Sequence, residues 1–386
     1  MSHEGMVGKK MKNERQSNFE LLKICAMIMI VAHHFVAKNA LNVDTDIIGI
    51  TTNKLFLQFI GNHAFIGNNL FFMCSAWFLV NKDGEVSSYP QRQLRHIWTM
   101  EKAMLFYSLC SWLVFRFFIK SDEATNSLLF KSVFPLSTNL WWYPTCYAAF
   151  LLIQPFYHKG LSALGEKSLN KLLLTFFVIW SISTIIPFFD YGSSNFLCFI
   201  VLYAVIYKIK NYGSKIFNDR GKCRKIIIYG YAISAISIVC LDLLGTHVRM
   251  LGEYACYFIR GNYRFLPMII SIAIFSLCIH WKIRSKTINY IASLTFGVYL
   301  IHMYPITMGY LFGNKGSVFD MSVISTKTYL PLWATIGILV CFIACAGIEM
   351  IRKILDGIIV RIAKKKRYEE ESWGQRYENL VDHIFR

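Results

Sequence analysis

Ten apolar stretches follow one another along this chain of 386 residues, a pattern with no place in a water-soluble fold. They run over about 19–38, 56–80, 97–119, 139–157, 171–189, 195–209, 226–244, 263–280, 287–308 and 329–351. A bilayer core about 30 Å thick takes roughly 20 apolar residues of helix, so each stretch is a candidate span. In lipid every backbone polar group must be satisfied internally, which makes helices the spanning structure. Only 17% of the residues are charged and 55% are hydrophobic, against about 25% charged in ordinary soluble domains. The aromatic share of 16% fits Trp and Tyr lining the two membrane interfaces. The expected fold is an all-α, polytopic integral membrane bundle of about ten transmembrane helices.

The loop charges test that count. With the first residues in the cytoplasm and loops alternating, 29 Lys and Arg fall inside and ten outside. The inner set includes Lys9, Lys10, Lys12, Arg15, Lys82, Arg92, Arg95, the cluster from Lys208 to Lys225, and the tail from Arg352. The bias is the one the positive-inside rule describes, and an odd number of spans would spoil it. Both termini are therefore expected in the cytoplasm. Residues 1–18 form a polar, basic segment with no cleavage site behind the first apolar run, so that run is expected to be retained as a span. Residues 19–352 form the transmembrane domain and residues 353–386 a basic cytoplasmic tail. Its run from Lys364 to Arg367 fits topology and attraction to anionic membrane lipids.

The net charge of +18 would suit nucleic acid. Its distribution among short loops argues against that partner. Eleven cysteines show no C-x-x-C pair and no metal-ligand spacing, and most lie in apolar runs, where a thiol acts as a small hydrophobe. Neither a metal nor a disulfide framework is expected.

Ionisable side chains inside a span are costly and mark function. The first span holds Lys23, His33 and His34. Eleven residues of α-helix return His34 to within about 20° of the Lys23 face, roughly 16 Å further along the axis. His33 points about 100° away. The alternatives are a snorkelling lysine with two packed histidines, or a histidine poised as general base. A neutral imidazole suits proton removal from a hydroxyl as that oxygen attacks an acyl thioester.

The run N-F-E-L-L-K-I-C-A-M-I-M-I-V-A-H-H-F resembles the first helix of the membrane acyltransferase 3 family. There an arginine, ten residues and a histidine form the defining pattern; here it falls on Lys23 and His34. Lysine keeps the charge without the planar fork. Gly67 to Leu79, with Ser75 in place and Ala76 where glycine is usual, resembles a second family stretch. Gln91 to Trp98, Leu140 to Pro144, L-L-I-Q-P-F and Thr295 to His302 are similar to further family stretches in the same order.

The resemblance spans about Asn18 to Arg352. It implies acyl transfer, usually of acetyl, from cytoplasmic acyl-CoA to a carbohydrate acceptor across the bacterial inner membrane. No bound cofactor is expected; acetyl-CoA or another acyl-CoA is the donor substrate. His34 and Lys23 are then the catalytic candidates. Arg92 and Arg95, i and i+3 at a helix entry, would hold CoA phosphates, or serve as plain positive-inside residues. Ser75 would donate to the thioester or bond a neighbouring backbone carbonyl. On the acceptor side stand His302, Tyr299 and Arg264. His302 fits an acceptor contact or an interhelical hydrogen bond. Arg260 and Arg264 fit an acidic or pyrophosphate-linked glycan, or an interfacial anchor. A transporter or flippase of a lipid-linked sugar is the main competing reading; it predicts internal repeats and paired broken helices, and the sequence shows neither.

Overall fold

The computed structural model describes residues 16–39, 41–47, 49–80, 89–186, 194–313 and 316–384, and these contain helices and no strand. In chain order the helices are α1 (Ser17–Ala37), α2 (Val43–Asp46), α3 (Thr52–Gly61), α4 (His63–Leu79), α5 (Tyr89–Leu113) and α6 (Asn126–Val133). Then come α7 (Trp142–Ala163), α8 (Glu166–Trp180), α9 (Asn195–Tyr212), α10 (Arg220–Gly245) and α11 (Arg249–Glu253). The last are α12 (Phe265–Ile279), α13 (Lys286–His302), α14 (Pro305–Met308), α15 (Met321–Ile324) and α16 (Leu330–Ile384). Wider π turns follow α5 and α14, and a 3₁₀ turn follows α8.

Short polar side chains start several of these helices by accepting orphan backbone N–H groups. Thr51 accepts from Lys54 N–H at 3.1 Å, and Ser285 accepts from Ile288 N–H at 3.3 Å. Asp219 accepts from Gly221 and Lys222 N–H at 2.8 and 3.1 Å. The second apolar interval breaks at Asn62, whose side chain donates to Gln58 O at 2.7 Å. The ninth ends at His302 and resumes at Pro305 with an 84° bend. Proline has no N–H to continue the i−4 ladder, so the bend falls where the sequence requires it.

Helix α1 is the centre of the bundle, packed against α3, α4, α12, α13 and α16. Gly67 lets α4 approach α1, since a Cβ there would lie 2.7 Å from Ala26 O. Small residues at crossings are how membrane helices come close enough to pack. Large apolar side chains such as Phe118, Ile228 and Ile343 point outward, as in a bundle whose solvent is hydrocarbon.

Among the described residues, four helices are long and apolar enough to cross a membrane singly, and the bent α13–α14 pair makes a fifth candidate. Each of the ten intervals read from the sequence holds helix. Several boundaries differ from expectation. α5 begins at Tyr89 rather than near residue 97, which puts Arg92 and Arg95 in its first turns, at the helix entry expected for them. α16 continues to Ile384, through the expected tail boundary at 352/353. Arg352 bridges Glu349 at 2.6 Å and Asp356 at 2.6 Å across successive turns, and no proline interrupts the run. Met1 to Arg15, Lys82, Lys315, residues 187–189 and the tail side chains from residue 363 lie outside the described residues.

Candidate active site

The continuous α1 carries Lys23 near one end and His34 near the other. Each finds its own partner. His34 Nδ1 lies 3.0 Å from His302 Nε2, joining α1 to α13 across 268 residues of sequence. His302 Nδ1 lies 2.5 Å from Val298 O, one turn back in its own helix. His302 is 0% exposed with both nitrogens engaged. His34 keeps 6% exposure, and no hydrogen bond among the described residues uses its Nε2. Tyr299 packs its ring edge-on to His302, with centroids 6.0 Å apart, and lies 6.2 Å from the ring of Tyr143. The Tyr143 hydroxyl is buried without a hydrogen-bond partner among the described residues. A polar group left so in a core is costly unless a ligand or water completes it.

His33 turns the other way, as the helical phase requires. Its Nδ1 is hydrogen-bonded to Gly61 O at the end of α3, and its ring lines a cavity of about 350 Å³. Asn39, Asn42, Asp44, Gln58 and Arg260 share that cavity. Asp44 is its organising anion. It accepts from Arg260 and, at 3.0 Å, from Gln58 Nε2, leaving Gln58 Oε1 buried and without a partner among the described residues. A second cavity, of about 590 Å³, shares Asp44 and is walled by Lys54, Asp242, Arg249 and Glu253. Lys54 and Asp242 form a buried pair at 2.9 Å between α3 and α10.

The Lys23 end is built differently. Lys23 lies 3.5 Å from Glu20 one turn earlier and 6.0 Å from the ring centre of Phe78. Arg92 and Arg95 are exposed. Ser75 Oγ donates to Phe71 O at 3.4 Å and lies within reach of the Tyr147 hydroxyl. Between Arg92 and Arg95, Gln93 points inward and opens a buried polar chain. Gln93 donates to Gln154 Oε1 at 2.6 Å, Gln154 donates to the Tyr203 hydroxyl at 2.6 Å, and that hydroxyl lies 2.8 Å from His158 Nδ1. This chain ties α5, α7 and α9 together beside the exposed arginines.

The structure thus brings His34, His302 and Tyr299 together, and among the described residues no hydrogen bond or ion pair joins them to Lys23, Ser75, Arg92 or Arg95. Arg264 stands apart again. It is buried, donates to Thr184 O at 3.1 Å and stacks on Tyr257, its guanidinium carbon 3.8 Å from the ring centre. Arg264 is held by these protein contacts, while Arg260 faces the cavity beside His33. Sequence reasoning passed over Asp44, Gln58, Asp242 and Glu349. Asp242 and Glu349 carried the signal that found His34, an ionisable group inside an apolar run. Glu349 is buried, bonded to Tyr107 and Arg352, and packs on Gly297. Asp44 and Gln58 had no such mark.

A family model described as an acyltransferase domain matches residues 16–350, which covers α1 to the membrane part of α16. No curated protein and no solved structure matches the chain.

Proposed function

Since the chain belongs to the acyltransferase 3 family, we propose that it moves an acyl group, acetyl in the first instance, from cytoplasmic acyl-CoA to a hydroxyl of a cell-surface or lipid-linked carbohydrate. The membrane is the bacterial inner membrane, crossed ten times with both termini in the cytoplasm. Loop charge supports that orientation, which puts the Lys23 end inside and the His34 end outside.

His34 is the general base. Its free Nε2 takes the proton of the acceptor hydroxyl as the oxygen attacks the thioester carbonyl. The C–S bond breaks, the thiolate leaves, and the proton passes to it, giving the ester and free CoA. General-base help of this kind is worth about 10²–10⁴ in rate. Arg92 and Arg95 receive the CoA phosphates at the inner face, and Lys23 supplies a fixed cation inside the entry. Ser75 serves as a donor toward the thioester once it leaves Phe71 O. The cavity beside His33, with its hydrogen-bonding walls, is the acceptor's approach; the His34 ring lies 5.3 Å from the His33 ring that lines it, with His302 behind.

The observation that carries this reading is the enclosed His34–His302 pair with one nitrogen left open, next to the histidine that lines the cavity. Mass spectra of surface glycans from wild-type and deletion strains test it. The expected result is loss of one acyl mass increment on deletion, restored by the wild-type gene and not by His34→Ala. Identical glycan spectra in wild type and deletion refute it. The bend after His302 and the break at Asn62 are what a lipid-linked-sugar flippase would use. In that case the deletion alters glycan amount and leaves acylation of the remaining glycan unchanged.

A further inference from the structure

We propose that His302 is the positioning residue that fixes the tautomer of His34, leaving His34 Nε2 bare. The argument starts from a carbonyl. Val298 O can only accept, so the nitrogen 2.5 Å away, His302 Nδ1, carries a hydrogen. A neutral imidazole has one N–H, so His302 Nε2 is a lone pair. The nitrogen 3.0 Å from that lone pair, His34 Nδ1, must then be the donor. His34 has spent its hydrogen, and its Nε2 is the acceptor that general-base chemistry requires. Among the described residues neither ring has an acidic hydrogen-bond partner, so the pair is written as two neutral imidazoles.

The same logic gives His33 a different setting. Its Nδ1 faces Gly61 O directly, so a main-chain carbonyl fixes it with no intermediary. His34 depends on a side chain, and a side chain can be exchanged. An orienting group behind a catalytic histidine serves this purpose in hydrolase triads, where the wrong tautomer removes the base. Here the orienting group is uncharged, and α13 sets its geometry through Val298.

This inference rests on His34 being the base, and the test separates the two. Histidine-labelled protein in lipid nanodiscs is examined by nitrogen NMR, with His34 and His302 assigned from His34→Gln and His302→Gln. A bare and a protonated ring nitrogen resonate far apart. The expected spectrum has His34 protonated at Nδ1 and bare at Nε2; a His34 protonated at Nε2 overturns the proposal. Transfer from acetyl-CoA in the same membranes gives the second arm. His302→Gln, which keeps an acceptor oxygen for His34 Nδ1, stays within about tenfold of wild type, while His302→Leu loses about 10²-fold in kcat at unchanged acetyl-CoA KM. Equal loss in both variants, each folded by size exclusion and helical content, also overturns it. Should both fail to fold, the wild-type spectrum decides. Unimpaired transfer by His34→Ala would instead remove the base itself and leave the tautomer as measured.

Discussion

The two ends of α1 each bury a basic side chain, and they do so by opposite means. At the Lys23 end the cation keeps 20% exposure and a carboxylate one turn away, and the arginines of α5 stand in the open. At the His34 end there is no local partner. His34 is held by a ring from another helix, and the nearby charges, Asp44 with Arg260 and Lys54 with Asp242, are paired across elements. One end presents its positive charge in the open. The other is a packed polar cluster whose members depend on the tertiary fold. Function that needs a fixed geometry belongs at the second; function that needs only positive potential belongs at the first.

Substitutions at the two ends should separate along that line. The largest effect is on turnover: His34→Ala loses about 10²–10⁴-fold of acyl transfer, while His33→Ala, at the cavity wall, loses less. Initial rates with acetyl-CoA in isolated membranes measure both, and parity between the two would erase the distinction by helical phase. Next comes stability. Lys54→Met strands the Asp242 carboxylate, whose side chain is 0% exposed, and removing one partner of a buried pair costs about 3–5 kcal/mol. Lys23→Met breaks a half-open pair and costs at most about 1 kcal/mol. Thermal midpoints in detergent compare the two, and equal shifts would contradict the contrast drawn here. Gly297→Ala falls below Lys54→Met. Its Cβ would sit 2.6 Å from Glu349 Cδ, whose carboxylate is held by Tyr107 and Arg352. Overpacking of this kind costs about 1–3 kcal/mol. A midpoint equal to wild type would show that Glu349 is freer than its bonds imply.

At the Lys23 end the effects are smaller and fall on affinity. Arg92→Ala with Arg95→Ala raises the acetyl-CoA KM about tenfold, the loss of one charge-assisted contact, and leaves kcat and the modified sugar unchanged. An unaltered KM takes these arginines out of the donor site. Lys23→Arg, which restores the planar fork, changes the rate by less than about twofold. A large gain would mean that bidentate contact matters at this position.

Much of the fold was legible because the bilayer imposes it. The lengths of the apolar runs located helix in every interval, but the bend at Pro305 was missed and the ninth interval was read as one unbroken span. Lys23 and His34 were legible because a charged or titratable group in a hydrocarbon-length helix has few innocent uses. Their partners were not. His34 meets His302 over a separation of 268 residues, and helical phase tells which way a side chain points without telling what stands there. The partners of Arg264 were invisible for the same reason, since Thr184 O and Tyr257 become its neighbours only when the 3₁₀ turn after α8 packs against the start of α12. The second interval breaks where Gly61 meets Asn62, whose side chain bonds back to Gln58 O; its length and internal glycine marked it, but the place of the break depended on that bond. The length of α16 was hidden by its charges, which read as a solvated tail; among the described residues Arg352 pairs with Asp356 and Lys353 with Glu349 at i, i+4 spacing along the helix.

The most direct test uses inside-out membrane vesicles, with radiolabelled acetyl-CoA added to the face that was cytoplasmic. Label should pass into the glycan fraction with the wild-type chain and stay out of it with His34→Ala present at equal level and helical content. Equal labelling of the glycan by the two would contradict the assignment of the chemistry to His34.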